Sequence, residues 1–175
     1  MNLYAVDVET TGLDPNTSSI VSIGAVEIGN ENRYFYEECS PWDGAEVHDG
    51  ALKVNGFSKE YLENLQNSEA KILQQFFAWL KLSPMMCAHN SAFDKSFIQA
   101  AANRASLPNP FGFRTVDIHS IVHAHIVRKG EKPPEKLSLN ECLKYFGLPK
   151  EPDPHNALTG ARCNVQLYTA VTKKA

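Results

Sequence analysis

The 175 residues are 43% apolar and 10% aromatic and carry a formal net charge of −3, which is typical of a globular protein with its own core. The chain has no run of about 20 apolar residues and no basic leader followed by an apolar stretch, so we expect one cytoplasmic domain over residues 1–175 with no membrane partner. Residues 1–70 carry 13 acids and 3 bases, and residues 71–175 carry 7 acids and 14 bases; this permits a polyanion-binding face but equally fits ordinary surface charge.

Three strands are predicted in the first part of the chain. A short apolar run at 3–8 predicts a buried strand. Residues 20–28 and 33–39 predict two more strands, which a hairpin through Gly29 would join. Residues 40–58 contain one proline and three glycines, and we expect them to be irregular.

In the second part, strands alternate with helices, and the apolar period changes to that of a helix. The predicted elements are a helix capped by Ser68, a strand at 85–88, a helix at 91–105, a strand at 114–118, a helix to about 127, a helix capped by Ser138 that ends at Gly147, and a helix at 157–173. Hairpin strands followed by alternating strands and helices predict an α/β fold, in which a five-stranded mixed sheet is flanked by helices.

Asp7 and Glu9 are the first candidate site residues. On a strand, residues two apart face the same side, so these two carboxylates project together. Like charges that are close and partly buried need a cation, and hard oxygen ligands suit Mg²⁺ or Mn²⁺. The alternative is an exposed strand end with two solvated acids.

Asp94 and His155 are candidates for the same chemistry at distant positions. Asp94 falls in the first turn of the helix that follows the fourth strand, where an acid can also serve only as a partner of the helix dipole. His155 follows two prolines and precedes the last helix, and a histidine there can act as a general base. The alternative for His155 is an ordinary exposed loop residue.

Two motifs resemble those of the DEDDh 3′–5′ exonuclease family, and the resemblance runs over nearly the whole chain. Residues 7–14, Asp-Val-Glu-Thr-Thr-Gly-Leu-Asp, are similar to the first motif, and residues 88–94, Ala-His-Asn-Ser-Ala-Phe-Asp, to the second. Residues 51–58 and 136–139 are similar to weaker signatures, and Asp117 matches an acid of the fifth strand that we interpret as structural. The resemblance implies a ribonuclease H-like fold.

The resemblance also implies a reaction, which is the two-metal hydrolysis of terminal phosphodiester bonds of DNA or RNA to nucleoside 5′-monophosphates. It implies that Asp7, Glu9 and Asp94 hold two Mg²⁺ or Mn²⁺ ions and that His155 takes the proton from the attacking water. The residues implied to seat the terminal nucleotide are Thr10, Thr11, Leu13, His89, Asn90 and Phe93. The implied partner is a 3′ end, most simply single-stranded, and the implied assembly is a monomer or homodimer. The candidate phosphate contacts are Arg128, Lys129, Lys132 and Lys136.

One position departs from the family pattern, which places a fourth carboxylate five residues after the histidine. Gly160 stands there, and Asn156 and Asn164 on the same helix face offer only neutral oxygens. We therefore expect one ion to bind weakly. Two hypotheses remain open: an active exonuclease with a raised metal requirement, and a catalytically attenuated nucleic-acid-binding or accessory protein of the same fold.

A zinc site is a third hypothesis. His119 and His123 are four residues apart on a predicted helix, with His125 nearby, which is the spacing of half a zinc site. No glutamate or cysteine is close in sequence to complete it, so surface or packed histidines are the alternative. The four cysteines include no Cys-x-x-Cys pair, and we expect them to be reduced and mostly buried.

Overall fold

Five strands form one mixed sheet in the computed structural model, which describes residues 2–173. They are β1 (Asn2–Thr10), β2 (Ile20–Glu27), β3 (Asn30–Glu38), β4 (Pro84–Ala88) and β5 (Thr115–Asp117). Their order in the sheet is β3-β2-β1-β4-β5. β1 pairs antiparallel with β2 and parallel with β4, so the hairpin part and the parallel part meet at β1. This confirms the predicted five-stranded mixed sheet.

Helices cover both faces of the sheet. Within residues 2–173 they are α1 (Asp49–Asn55), α2 (Lys59–Glu63), α3 (Glu69–Trp79), α4 (Ser91–Arg104), α5 (Ile118–Arg128), α6 (Leu139–Tyr145) and α7 (Ala157–Thr172). No helix of this part of the chain combines the length and apolarity needed to cross a membrane. The caps predicted at Ser68 and Ser138 are present, since each hydroxyl accepts a hydrogen bond from a backbone N–H in the first turn.

The prediction that residues 40–58 are irregular was wrong. They include α1, and α2 follows at once. Both helices are too short to show an apolar period. α1 instead depends on two buried residues, Leu52 and Asn55, and the Asn55 amide donates to the carbonyl of Thr10. α1 is therefore attached to the carboxyl end of β1, next to the candidate site.

The alternation along β1 decides which face of the sheet each side chain reaches. Tyr4, Val6 and Val8 belong to the core that contains residues of α3 and α4. Ala5 packs with Ala161 of α7 on the other face. Because side chains on a strand alternate, the two acids of β1 lie on the α7 side.

A close approach brings the start of α7 onto the sheet. Gly24 of β2 lies opposite Asp7 in the β1–β2 register. A Cβ atom on Gly24 would overlap the backbone carbonyl group of Ala157, the first residue of α7. Glycine at 24 thus lets the first turn of α7 lie directly over the strand that neighbours Asp7.

Replacing Gly24 with alanine should therefore lift the first turn of α7 from the sheet. We expect Gly24→Ala to lower the free energy of unfolding by about 1–3 kcal/mol, because backbone of α7 must move to admit the methyl group. Urea unfolding followed by tryptophan fluorescence measures this. The control is Gly112→Ala, where a Cβ meets no atom within 4 Å. Equal effects of the two substitutions would contradict this account of the packing.

Candidate active site

An acidic pocket of about 280 Å³ opens at the carboxyl end of β1. Beside His89, its polar lining includes four carboxylates and a second imidazole, which belong to Asp7, Glu9, Asp94, Glu151 and His155. Four of these five were predicted from the sequence, and the structure brings them together from β1, α4 and the segment before α7. The fifth, Glu151, was not predicted.

Asp94 is held against β1 by a backbone hydrogen bond. The N–H of Val8 donates to its Oδ1 at 3.1 Å. Asn90, with a φ of 62°, turns the chain between β4 and α4 and so brings the first turn of α4 to the pocket. Asp117 stabilises this start, because its carboxylate accepts hydrogen bonds from the N–H groups of Ser91 and Ser120 at 2.8 Å. The structural role expected for Asp117 agrees with these contacts.

His155 is held at the pocket by its backbone and by the helix that follows. Its N–H donates to the carbonyl of Val54 in α1 at 3.0 Å. The next residue, Asn156, caps α7 by accepting from the N–H groups of Leu158 and Thr159. The imidazole Nε2 lies 3.7 Å from Glu151 Oε2. The segment before α7 therefore orients His155 into the pocket while leaving it partly exposed.

Gly160 lies directly behind the acids. A Cβ at this position would overlap Asp7 Oδ2, and it would lie 2.7 Å from Asp7 Cγ and 3.2 Å from Glu151 Oε1. The groups that closely approach this glycine are thus two carboxylates of the chain itself.

The neutral oxygens expected from Asn156 and Asn164 are already engaged by backbone N–H groups. Asn156 Oδ1 forms the cap of α7, and Asn164 Oδ1 accepts from the N–H of His89 at 3.1 Å. Neither residue lines the acidic pocket. Glu151 is the acid that approaches position 160 instead. Its only sequence signal is an isolated carboxylate in a proline-rich linker, which no periodicity distinguishes from a solvated loop residue.

Burial and mutual repulsion raise the pKa values of the acids in this pocket. Burial, followed by the charges of Glu151 and Asp94, raises the pKa of Glu9 to about 8. Burial also raises the pKa of Asp94 to about 7, although the N–H of Val8 opposes this. The pKa of Asp7 is raised by burial and then by the charges of Asp94, Glu9 and Glu151. The pocket therefore favours a proton or a cation.

A second cavity of about 220 Å³ adjoins the pocket and shares Glu9 and Phe93 with it. Thr10 and Leu13 line this cavity, and Leu13 is 85% exposed. His89 and Asn90 line the acidic pocket. Five of the six residues expected to seat a nucleotide thus border the two cavities.

Thr11 is the sixth residue expected to seat a nucleotide, and it lies elsewhere. It is fully buried, and its hydroxyl donates to the carbonyl of Glu46 and accepts from the N–H of Ser19. Its side chain supports the loop after β1. The four basic residues expected to contact phosphates are exposed, and none lines the acidic pocket.

The zinc hypothesis gains no support. Across residues 2–173, no three side chains of His, Cys, Asp or Glu are arranged to hold one metal ion together. The ring of His119 lies 5.5 Å from that of His89, and His125 packs against Phe146. The four cysteines are buried and unpaired with one another, as expected.

The five-stranded mixed sheet with its flanking helices is a ribonuclease H-like fold. The sequence profile of the RNase_T family, described as exonuclease, matches residues 4–168. The chain belongs to this exonuclease family, whose DEDDh members are 3′–5′ exonucleases that use divalent metals.

Particular relatives are consistent with this assignment. The chain is 31% identical to ribonuclease T of Klebsiella pneumoniae, in a match that covers 97% of this chain and 83% of that protein. It is 24% identical to ribonuclease T of Marinobacter nauticus, in a match that covers 97% of this chain and 81% of that protein. Its fold is similar to that of the nuclease domain of 3′hExo, a DEDDh family member bound to rAMP, with a TM-score of 0.78 and 16% identity. The match covers 95% of this chain and 89% of that domain. It is also similar to E. coli exonuclease I in complex with a dA16 oligonucleotide (TM-score 0.77, 14% identity), of which it spans 40% while 97% of this chain is covered.

The raised pKa of Glu9 predicts how stability depends on pH without metal. Between about pH 4.5 and about pH 8, folded Glu9 holds a proton that the unfolded chain has released, so stability falls as the pH rises through this window. Glu9→Gln removes this loss. We expect the free energy of unfolding of the variant, relative to that of the wild type, to rise by more than about 1 kcal/mol between pH 5 and pH 9. Urea unfolding in chelator measures this.

The control for this experiment is Glu135→Gln, which removes an exposed glutamate in the loop before α6. Its difference from the wild type should stay constant with pH. If the curves of Glu9→Gln and the wild type run parallel between pH 5 and pH 9, the described electrostatics of the pocket are wrong.

Proposed function

We propose that this chain is a metal-dependent 3′–5′ exonuclease that releases nucleoside 5′-monophosphates from single-stranded DNA or RNA. The observation that carries the proposal is the convergence of Asp7, Glu9, Asp94 and His155 in one pocket, from three segments of the chain. Membership of the exonuclease family supports the same reaction class.

The acids of the pocket suit one or two Mg²⁺ or Mn²⁺ ions. Carboxylate oxygens are the ligands that these ions prefer, and burial followed by the charges of neighbouring acids raises the pKa values of Asp7 and Glu9. Bound metal would activate a water and stabilise the charge on the scissile phosphate.

His155 is the proposed general base. It is the histidine of the pocket that α1 and α7 hold from both sides, whereas His89 is committed through Nε2, which donates to the carbonyl of Leu137 at 2.9 Å. Partial exposure leaves the His155 imidazole able to accept a proton from a water in the pocket and pass it to solvent. The Glu151 carboxylate lies beside it, with Oε2 3.7 Å from the imidazole Nε2.

The adjoining cavity is the proposed seat of the 3′-terminal nucleotide. Phe93 borders both cavities and offers an aromatic surface to a base, and exposed Leu13 offers an apolar contact beside it. A terminal base there places its phosphate towards Glu9, which the two cavities share. The oligonucleotide complexes of exonuclease I support a single-stranded substrate. A monomer or homodimer remains our expectation for the assembly.

Activity should depend on the metal and on the two residue types proposed to act. With a 5′-labelled single-stranded oligonucleotide and millimolar Mn²⁺ or Mg²⁺, we expect a ladder shortened from the 3′ end. Asp7→Asn should abolish it, and His155→Ala should lower kcat by about 10²-fold or more, the typical contribution of a general base. Product analysis by gel and by chromatography of mononucleotides measures both.

The control is Asp43→Asn, which removes an exposed acid that lines neither cavity, and it should keep wild-type activity. DNA and RNA of one sequence should be compared under the same conditions. Failure of the wild type to release mononucleotides with either metal and either substrate would reject the proposed function.

A further inference from the structure

We propose that Glu151 supplies the fourth carboxylate of the metal site, in place of the acid that Gly160 lacks. The inference rests on the proposed function, because it concerns the same pocket. It gives a metal-binding role to a residue in the linker between α6 and α7, which the family pattern does not use.

The position of the Glu151 carboxylate is the first argument. A side chain at 160 would start 3.2 Å from Glu151 Oε1 and would overlap Asp7 Oδ2. Both oxygens therefore approach the point from which an acid at 160 would project. The carboxylates of Glu151 and Asp7 thus share the space on the α7 side of the pocket.

The burial of Glu151 is the second argument. The residue is 4% exposed and lines the acidic pocket with three other carboxylates. Within residues 2–173, no lysine or arginine forms an ion pair with it, and the basic side chain beside it is that of His155, whose Nε2 stands 3.7 Å from Glu151 Oε2. A buried carboxylate without a close cation is costly, and a divalent ion in the pocket would remove that cost.

The linker holds Glu151 in place by its backbone. The N–H of Glu151 donates to Asn140 Oδ1 in α6 at 3.0 Å. Asp153, two residues later, also lies 3.7 Å from His155 Nε2 but is exposed and lines no part of the pocket. Of the two linker acids near His155, Glu151 alone therefore faces the other carboxylates.

The same geometry explains why an acid at 160 would not improve this site. Gly160→Asp would place a Cβ onto the Asp7 carboxylate and add a fifth carboxyl group to the pocket. The hypothesis of an attenuated protein predicts the reverse, since it treats Gly160 as a lost ligand that Asp would restore. The two interpretations thus predict opposite effects of one substitution.

Mn²⁺ binding, measured by electron paramagnetic resonance of the free ion at pH 8, tests the inference without activity. We expect Glu151→Gln, which keeps the shape of the side chain, to weaken Mn²⁺ binding by at least about 10-fold. Asp153→Asn removes the same charge beside His155 and should change the affinity by less than about twofold. Gly160→Asp should weaken binding. Thermal unfolding in chelator checks that each variant is folded.

Each outcome of this experiment decides a separate point. Glu151→Gln with wild-type affinity, or Gly160→Asp with a higher affinity, would overturn the role of Glu151. Equal losses in Glu151→Gln and Asp153→Asn would also overturn it, because charge near His155 would then explain both. Asp7→Asn is the reference for the proposed function. If this variant keeps the wild-type affinity for Mn²⁺, the proposed metal site itself is wrong. If Asp7→Asn loses affinity while Glu151→Gln does not, only the inference about Glu151 is rejected.

Discussion

The contact between the first turn of α7 and the paired strands β1 and β2 is the constraint on which the site depends. Two glycines allow it: Gly24 admits the backbone of Ala157, and Gly160 admits the carboxylate of Asp7. Because Asp7 and Gly24 are partners in the sheet, the two contacts are neighbours. A side chain at Gly24 would push the backbone of α7, and with it the linker that carries His155, away from the strands, whereas a side chain at Gly160 would displace the Asp7 carboxylate. Backbone packing therefore sets the distance between the histidine and the acids.

That packing concentrates negative charge where the fold gives little to balance it. The structure does use buried ion pairs elsewhere: Glu69 is 3% exposed, and Arg104 donates to both of its oxygens. In the acidic pocket no such guanidinium is present among the lining residues, and burial and repulsion raise the pKa of Glu9 to about 8. The contrast separates an acid that is neutralised within the fold from acids that are left to be neutralised by a ligand.

Much of the fold was predictable, because its long elements carry a clear period. The strands and the four longer helices follow from apolar alternation and the cap at Ser68, and α6, as short as α1, follows from the cap at Ser138 and the stop at Gly147. α1 and α2 were missed because five to seven residues carry too little periodicity, and α1 is fixed by tertiary contacts such as that of Asn55 with Thr10. Asp7, Glu9, Asp94 and His155 were found through their motifs, whereas Thr11 and Glu151 show the limit of motifs: the burial of one and the approach of the other to Gly160 exist only in three dimensions.

The location of Glu151 in a proline-containing linker also bears on how relatives of this chain are sorted. A linear pattern that demands an acid five residues after the histidine rejects this sequence and would group it with degenerate members. Counted in space, however, four carboxylates line its pocket. A glycine at this position is then a reason to inspect the preceding loop for a substitute acid before a homologue is set aside as inactive.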